Sequence, residues 1–177
     1  MAKTPTDNVD MKISIELQIA PPSEKTASKI LLYGVEGIGK TTLASKFPAP
    51  LFIDTEGSTV KMKPQPARLP DVSGYQEIKM QLGKILNQPH KFKTLVIDSV
   101  GVLESWVEEY VCASGNVLSI EDFGYGKGYK LVEEEFRKML EFFARLVSEK
   151  KMNIVLIAHS VTRQSTEPGN PVSFDRY

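Results

Sequence analysis

One short stretch of this chain has the residue types and the spacing of a polyphosphate-binding loop. Residues 34–41 read GVEGIGKT and fit the pattern G-x-x-x-x-G-K-[ST] at every fixed position. The glycines allow successive backbone N–H groups to point inward at phosphates. Lys40 can reach the β- and γ-phosphates, and the Thr41 hydroxyl can ligate Mg²⁺. The predicted nucleotide-binding residues are Gly34, Val35, Glu36, Gly37, Ile38, Gly39, Lys40, Thr41 and Thr42.

Acidic side chains follow two further apolar runs of the sequence. Asp98 ends the run TLVID, and Glu56 lies two residues beyond the run LFID. Because the carboxyl ends of parallel strands meet at one edge of a sheet, both carboxylates are expected near the loop at 34–41. Asp98 is then placed to hold the hydration shell of a Mg²⁺ ion opposite Thr41. A purely structural role as a helix cap is the alternative for Asp98.

The residues assigned to catalysis are Glu56, Lys40 and His159. Residue 99 is a serine rather than a second acid, so the carboxylate that polarises an attacking water is expected to be Glu56. His159 ends the apolar run IVLIA and is a candidate sensor that hydrogen-bonds the γ-phosphate. The alternatives are a capping or solvent-facing Glu56 and a packed, purely structural His159.

Short apolar runs alternate with segments of helical spacing, which predicts the elements that position these residues. The predicted strands are 29–34, 51–55, 94–98 and 153–158, each nearly continuously apolar, as is typical of a parallel sheet covered on both faces. A first helix is expected over 41–47. The alternation predicts an α/β fold in three layers with a mostly parallel central sheet. Three apolar stripes predict the other helices: Ile78, Leu82, Ile85 and Leu86; Leu103, Trp106, Val107, Tyr110 and Val111; and Val132, Phe136, Met139, Leu140, Phe143, Leu146 and Val147.

The chain is expected to divide into a tail and one core. Residues 1–28 hold a polar N-terminus and an edge-strand candidate at 12–19, where apolar and polar residues alternate strictly. Residues 29–177 are expected to form a single phosphate-loop core. Long loops are expected at 57–73, at 112–128 and from residue 160 onward.

The composition disfavours several classes of protein and of site. Lysine plus arginine equals aspartate plus glutamate at 22 each, so nucleic-acid binding would need a local basic surface. One cysteine, Cys112, excludes an intrachain disulfide, and with only two histidines a zinc site is disfavoured. No apolar run reaches membrane-spanning length and the N-terminus lacks the apolar core of a signal peptide, which predicts a cytoplasmic protein.

Taken together, these strand ends resemble those of the RecA-like branch of phosphate-loop ATPases. Residues 53–56 resemble the strand that ends in that family's catalytic glutamate, 95–99 resemble its Walker B strand, and 157–159 lie where it carries a γ-phosphate sensor. The chain is more closely similar to short phage-encoded RecA-like nucleotide-binding proteins, some of which act in single-strand annealing and recombination. The resemblance covers roughly residues 28–177 and is carried by the runs LLYGVEGIGKTTLASKFPAPLFIDTEGS, KTLVIDSVGVLE, SIEDFGYGKGYK and NIVLIAHSVTR.

This resemblance implies an ATPase that uses Mg²⁺, binds single-stranded DNA, forms a homo-oligomer and works in the cytoplasm of a host cell. It implies that Lys40 and Thr41 bind phosphate and Mg²⁺, that Asp98 supports the Mg²⁺, that Glu56 is the base and that His159 is the sensor. The loop at 112–128 and the segment after residue 160 would take the two DNA-binding positions, although an ordinary glycine-rich turn is the alternative for the first. The implied DNA contacts are Phe123, Tyr125, Lys127 and Arg163, because aromatic rings stack on bases and cations meet phosphates.

Three other functions stay open. A small-molecule kinase would use the same phosphate loop, with the segment 57–73 as a lid, although no acceptor motif is recognisable. A nucleotide-binding module without turnover also fits, because the later strands of the family are not found before residue 177 and a truncated core is expected. A GTPase would be consistent with D-x-x-G at 98–101, but no [NT]-K-x-D motif exists in the chain.

Overall fold

The structure is a computed structural model that describes residues 26–160, and the backbone alone over 162–165 and 173–176. The predicted edge strand at 12–19 lies outside the described residues. The strands are β1 (Lys29–Gly34), β2 (Pro50–Asp54), β3 (Ala67–Arg68), β4 (Thr94–Asp98), β5 (Asn153–His159), β6 (Thr162–Ser165) and β7 (Ser173–Arg176). The helices are α1 (Lys40–Ala44), α2 (Tyr75–Asn87), α3 (Val100–Gly115) and α4 (Lys127–Lys150), with a 3₁₀ turn at Ile120–Phe123.

Five strands form one parallel sheet in the order β1-β5-β4-β2-β3, and β6 and β7 form a separate antiparallel pair. The register places Gly34 of β1 beside His159 of β5, and Asp54 of β2 beside Asp98 of β4. The mostly parallel α/β sheet predicted from the sequence is therefore confirmed. Because all pairings in this sheet are parallel, the ends of β1, β2, β4 and β5 lie along the same edge.

Helices cover the sheet unequally on its two faces. On one face, α2, α3 and α4 bury alternate strand residues such as Ile53, Leu95 and Ile97. On the other face, Ala44 of α1 packs against Phe52, Val96, Val155 and Ile157. The central strands are buried on both faces, which explains why the interiors of β2, β4 and β5 are continuously apolar instead of alternating.

Two expectations about burial are wrong in detail. Coverage of both sheet faces does not extend to β1, where Leu31 and Tyr33 are 60% and 51% exposed, because the helices on that face contact β5 instead. Leu140 was expected in the buried stripe of α4 but is 45% exposed. It lies one position beyond Met139, so it turns away from the face that packs on the core.

The segment 112–128, expected to be a long loop, is largely regular structure. Helix α3 continues to Gly115, the 3₁₀ turn follows, and α4 begins at Lys127. The ring of Phe123 packs where a Cβ on Gly115 would stand, 2.3 Å from its Cζ atom. Gly115 and Gly128 are therefore sites of close packing, whereas Gly124 and Gly126 have open space around them and positive φ values of 71° and 68°. Two shorter elements also lie in expected loops: β3 within 57–73, and the β6–β7 pair after residue 160.

We expect Gly128→Ala to destabilise the protein, because an added Cβ would stand 2.3 Å from the Ile120 carbonyl oxygen. Overpacking of this kind costs about 1–3 kcal/mol. Gly83→Ala is the matched control, since Gly83 lies within α2 with open space around it and alanine favours helices by about 1 kcal/mol. Thermal unfolding should show a lower Tm for the first variant and an equal or higher Tm for the second. Equal effects of the two substitutions would contradict the packing described for the 3₁₀ turn.

Candidate nucleotide-binding and active site

The phosphate loop connects β1 to α1 and takes a backbone path that needs glycine at two positions. Gly37 and Gly39 have φ values of 76° and 96°, in the left-handed region that side chains disfavour. Gly39 is also the residue that precedes α1. The glycines of the motif therefore stand where the backbone requires them, and successive N–H groups in such a turn can bind an anion.

Lys40 is buried within this loop, with 8% of its surface exposed. Its ammonium donates to the carbonyl oxygens of Gly34 and Val35, both at 2.9 Å. Its Nζ also lies 3.2 Å from Nδ1 of His159, which can accept a hydrogen bond when that nitrogen carries no proton. The three N–H donors of the ammonium thus have three acceptors, two in the loop itself and one at the end of β5.

Thr41 and Asp98 meet across the edge of the sheet. The Thr41 hydroxyl donates to Oδ2 of Asp98 at 2.6 Å, and Asp98 is 1% exposed. Burial raises the pKa of the Asp98 carboxyl; the charges of Glu56 and Asp54 act in the same direction, while the Thr41 hydrogen bond opposes them.

The residues present fit a Mg²⁺ ion. Oδ1 of Asp98 is buried and has no hydrogen-bond partner among the described residues. Glu56, Asp98 and His159 each offer a ligand atom within 4.8 Å of the others. A hydroxyl and carboxylate oxygens are the hard ligands that Mg²⁺ prefers, so Thr41 and Asp98 are the residues that would hold it together with phosphates.

Asp54 shapes the segment that carries Glu56. Its carboxylate accepts hydrogen bonds from the backbone N–H groups of Glu56 at 3.3 Å, Ser58 at 3.0 Å and Thr59 at 2.8 Å. The Thr59 hydroxyl adds a fourth bond at 2.5 Å. Sequence reasoning missed this role. The signal was an aspartate at a strand end followed four and five residues later by Ser58 and Thr59.

The Glu56 side chain is one-third exposed and faces two neighbours. Its Oε1 accepts a hydrogen bond from the Ser99 hydroxyl, and its Oε2 lies 3.4 Å from Nε2 of His159. All three residues line one cavity of about 700 Å³ at this edge of the sheet. The structure thus brings Lys40, Thr41, Glu56, Asp98 and His159 together, as the strand-end pattern predicted for their positions.

Three of the predicted DNA contacts, Phe123, Tyr125 and Lys127, lie outside this cavity and differ in exposure. The ring of Phe123 is partly buried against the helices, so stacking on a base would require it to leave that packing. Tyr125 is fully exposed, between Gly124 and Gly126 in three successive left-handed backbone conformations. Lys127 is exposed at the start of α4. The side chain of Arg163 lies outside the described part of the chain.

We expect Asp98→Asn to stabilise the protein in EDTA while it weakens the binding of Mg²⁺ and nucleotide together. Because the pKa of Asp98 is raised on folding, the folded protein binds more protons between the unfolded and the folded pKa values. The unfolding free energy therefore falls as the pH rises through that interval, and the asparagine variant lacks this loss. A gain of about 1 kcal/mol would raise the Tm by about 2–4 °C in a protein of this size.

Thermal unfolding from pH 4 to pH 8 in EDTA tests this expectation. Glu104→Gln is the control, because Glu104 is an exposed carboxylate that lines the same cavity. A Tm for Asp98→Asn below that of the wild type at pH 8 would contradict the unfavourable burial of the charge.

Comparison with known families agrees with this geometry. Within the described ranges, no helix is both long enough and apolar enough to cross a membrane. A family model described as an AAA domain matches residues 26–177, a range that contains the phosphate loop and every strand of the parallel sheet. Since the match covers far more than half of the sequence, the chain belongs to the AAA domain family, whose nucleotide-binding domains are of the phosphate-loop ATPase type.

Proposed function

We propose that this protein is a RecA-like ATPase that uses Mg²⁺ and couples ATP turnover to single-stranded DNA, in recombination or annealing of the phage type. The observation that carries the ATPase part is the meeting of a phosphate-loop motif, a buried carboxylate with an unpartnered oxygen and a second, accessible carboxylate at one edge of the sheet, among the described residues. Lys40, Asp98 and Glu56 supply these three parts and come from different strand ends.

In the proposed mechanism, the position of each residue in the site gives it a separate role in hydrolysis. Loop N–H groups and Lys40 would bind the β- and γ-phosphates. Thr41 and Asp98 would hold a Mg²⁺ ion, which would neutralise charge on these phosphates. Glu56 orients a water in line with the γ-phosphorus and accepts its proton. His159 hydrogen-bonds a γ-phosphate oxygen at the end of β5. Most of the acceleration then comes from positioning and charge stabilisation.

A second copy of the chain would complete the site. Among the described residues that line the cavity there is no lysine or arginine, whereas Glu36, Glu56 and Glu104 are present. Sites of this kind gain a large factor in rate from a cation supplied by a neighbour. Isolated subunits are therefore expected to turn over slowly, and the activity is expected to rise with protein concentration.

The DNA part of the proposal rests on Tyr125 and Lys127. A fully exposed aromatic ring beside an exposed lysine supplies one stacking surface and one phosphate contact. The zero net charge of the chain gives no general attraction for nucleic acid, so these local contacts would have to provide it. Tyr125→Ala should then weaken DNA binding without affecting the binding of ATP.

Phosphate release from ATP with Mg²⁺ tests the proposal, at several protein concentrations and with or without a single-stranded oligothymidine. Stimulation by DNA that grows with protein concentration supports an oligomeric, DNA-coupled ATPase. Turnover that ignores DNA but requires a small acceptor would favour a kinase. A strong preference for GTP would favour a GTPase, and binding without phosphate release would identify a silent nucleotide module.

A further inference from the structure

Ser99 occupies a capping position but does not cap its helix. It directly precedes α3, with φ −122° and ψ 165°, the extended conformation of an N-cap residue. A serine at this position ordinarily accepts a hydrogen bond from a backbone N–H in the first turn. No such bond is formed here. The hydroxyl instead donates to Oε1 of Glu56, on the segment that follows β2.

The backbone around Ser99 fixes where this hydroxyl points. Its own N–H donates to the Thr55 hydroxyl oxygen at 2.9 Å, and that hydroxyl donates to the Asp98 carbonyl at 2.9 Å. The Thr55 N–H donates to the same carbonyl at 2.6 Å. Ser99 is itself 1% exposed. The ends of β2 and β4 are thereby joined, and the hydroxyl is held beside Glu56 by a buried network.

Few other contacts hold the Glu56 side chain in its orientation. Its side chain is 32% exposed, and in the described part of the chain its carboxylate has one side-chain hydrogen-bond donor, Ser99. Nε2 of His159 lies 3.4 Å from the other carboxylate oxygen but forms no hydrogen bond with it. A glutamate has three rotatable side-chain bonds, so a carboxylate at the mouth of a cavity can adopt several orientations. The Ser99 hydroxyl has one proton to donate, and it is directed to this carboxylate.

We propose that Ser99 is a positioning residue for Glu56, holding one carboxylate oxygen so that the other faces the attacking water. The inference rests on the ATPase function proposed above and adds a requirement to it. The Ser99 side chain does not cap α3, because its hydroxyl is hydrogen-bonded to Glu56 instead. Ser99 does not touch substrate in this arrangement; it acts through the orientation of Glu56.

Ser99→Ala should lower kcat for ATP by about tenfold to a hundredfold, since a misplacement of about 1 Å can cost that much. KM and the nucleotide-dependent rise in Tm should stay unchanged, because the serine contacts no phosphate-binding residue side chain. Ser99→Thr keeps the hydroxyl and should retain most of kcat. Ser105→Ala is the matched control: Ser105 lines the same cavity, but its hydroxyl donates to the Gly101 carbonyl at 3.3 Å.

A double mutant separates positioning from capping. In a Glu56→Gln background, Ser99→Ala should have little further effect on residual turnover, because the group that it positions is already altered. A simple helix cap predicts the opposite pattern, with a lower Tm for Ser99→Ala and an unchanged kcat. That pattern, or independent effects of the two substitutions on kcat, would overturn the inference.

The inference can also be tested without turnover. The ¹³C resonance of the Glu56 carboxyl, identified by its loss in Glu56→Gln, should shift in Ser99→Ala and stay in place in Ser105→Ala. A wild-type protein that releases no phosphate would refute the proposed ATPase, yet the resonance would still decide whether Ser99 holds Glu56. Normal kcat and an unshifted resonance in Ser99→Ala would overturn the positioning role alone.

Discussion

Glu56→Gln is expected to lower ATP turnover by about 10²–10⁴-fold, the usual contribution of a positioned general base. Glutamine has nearly the same shape, so it can still accept the Ser99 hydrogen bond. It cannot accept a proton from water. Binding of ATP and Mg²⁺ should persist, because in the proposed site the loop, Lys40 and Thr41 would hold the phosphates instead. Phosphate release measured beside equilibrium nucleotide binding checks both expectations.

Glu104→Gln is the control for this experiment. It removes a carboxylate from the same cavity, at an exposed position on α3 without a hydrogen bond to Glu56 or Ser99. The control should turn over ATP at close to the wild-type rate. If negative charge in the cavity had only a general effect on the reaction, both variants would show the same decrease in ATP turnover. Wild-type turnover by Glu56→Gln would assign the base to another residue.

Lys40→Ala is expected to abolish the stabilisation that nucleotide gives to the fold. A ligand at a hundred times its Kd stabilises a protein by about 2.7 kcal/mol. In a protein of this size, that corresponds to a rise in Tm of roughly 5–10 °C. Alanine removes the cation proposed to bind the β- and γ-phosphates, so Mg²⁺-ATP should leave the Tm of the variant unchanged.

The Lys40→Ala experiment must distinguish a loss of nucleotide binding from a change in the stability of the protein without nucleotide. Lys40 is buried and bonded to Gly34, Val35 and His159, so its replacement changes the Tm even without nucleotide. The informative quantity is therefore the change in Tm on adding Mg²⁺-ATP. Lys84→Ala, an exposed substitution on α2, should keep the full response. A full response in Lys40→Ala would refute the assignment of the phosphate loop.

The sequence predicts the parallel sheet well because its physical signature is local. Each of β2, β4 and β5 is a short run of apolar residues, buried on both faces, and each ends at a polar or titratable residue. A parallel arrangement then brings the last residues of these strands to one edge. The proximity of Asp98 and His159 follows from this topology, whereas the position of Glu56 also depends on the hydrogen bonds that Asp54 accepts from the segment after β2.

The features of the site that the sequence does not predict are specific side-chain hydrogen bonds, because each side chain has several possible partners. Serine before a helix suggests a cap, yet Ser99 bonds to Glu56 across 43 residues of sequence. No role was predicted for Asp54, whose carboxylate accepts four hydrogen bonds from the segment that follows it. Gly115 and Gly128 lie within the segment expected to be a loop, yet both are in helices where a neighbouring group leaves no room for a side chain. Close packing and flexible loops both favour glycine, so the sequence does not distinguish them.

The bonds of Lys40 have a consequence for how this protein discriminates among ligands. Because all three of its N–H donors already have acceptors in the protein, a phosphate oxygen near Lys40 must displace a partner rather than find a free donor. Such an exchange gains little binding free energy when the incoming group is weakly charged. The gain is larger when the group that reaches Lys40 carries more negative charge. The loop should therefore respond steeply to the number of phosphates, binding triphosphate and diphosphate far better than monophosphate. The number of phosphates needed for binding would depend on the strength of the bonds from Lys40 to the two carbonyl oxygens and the imidazole.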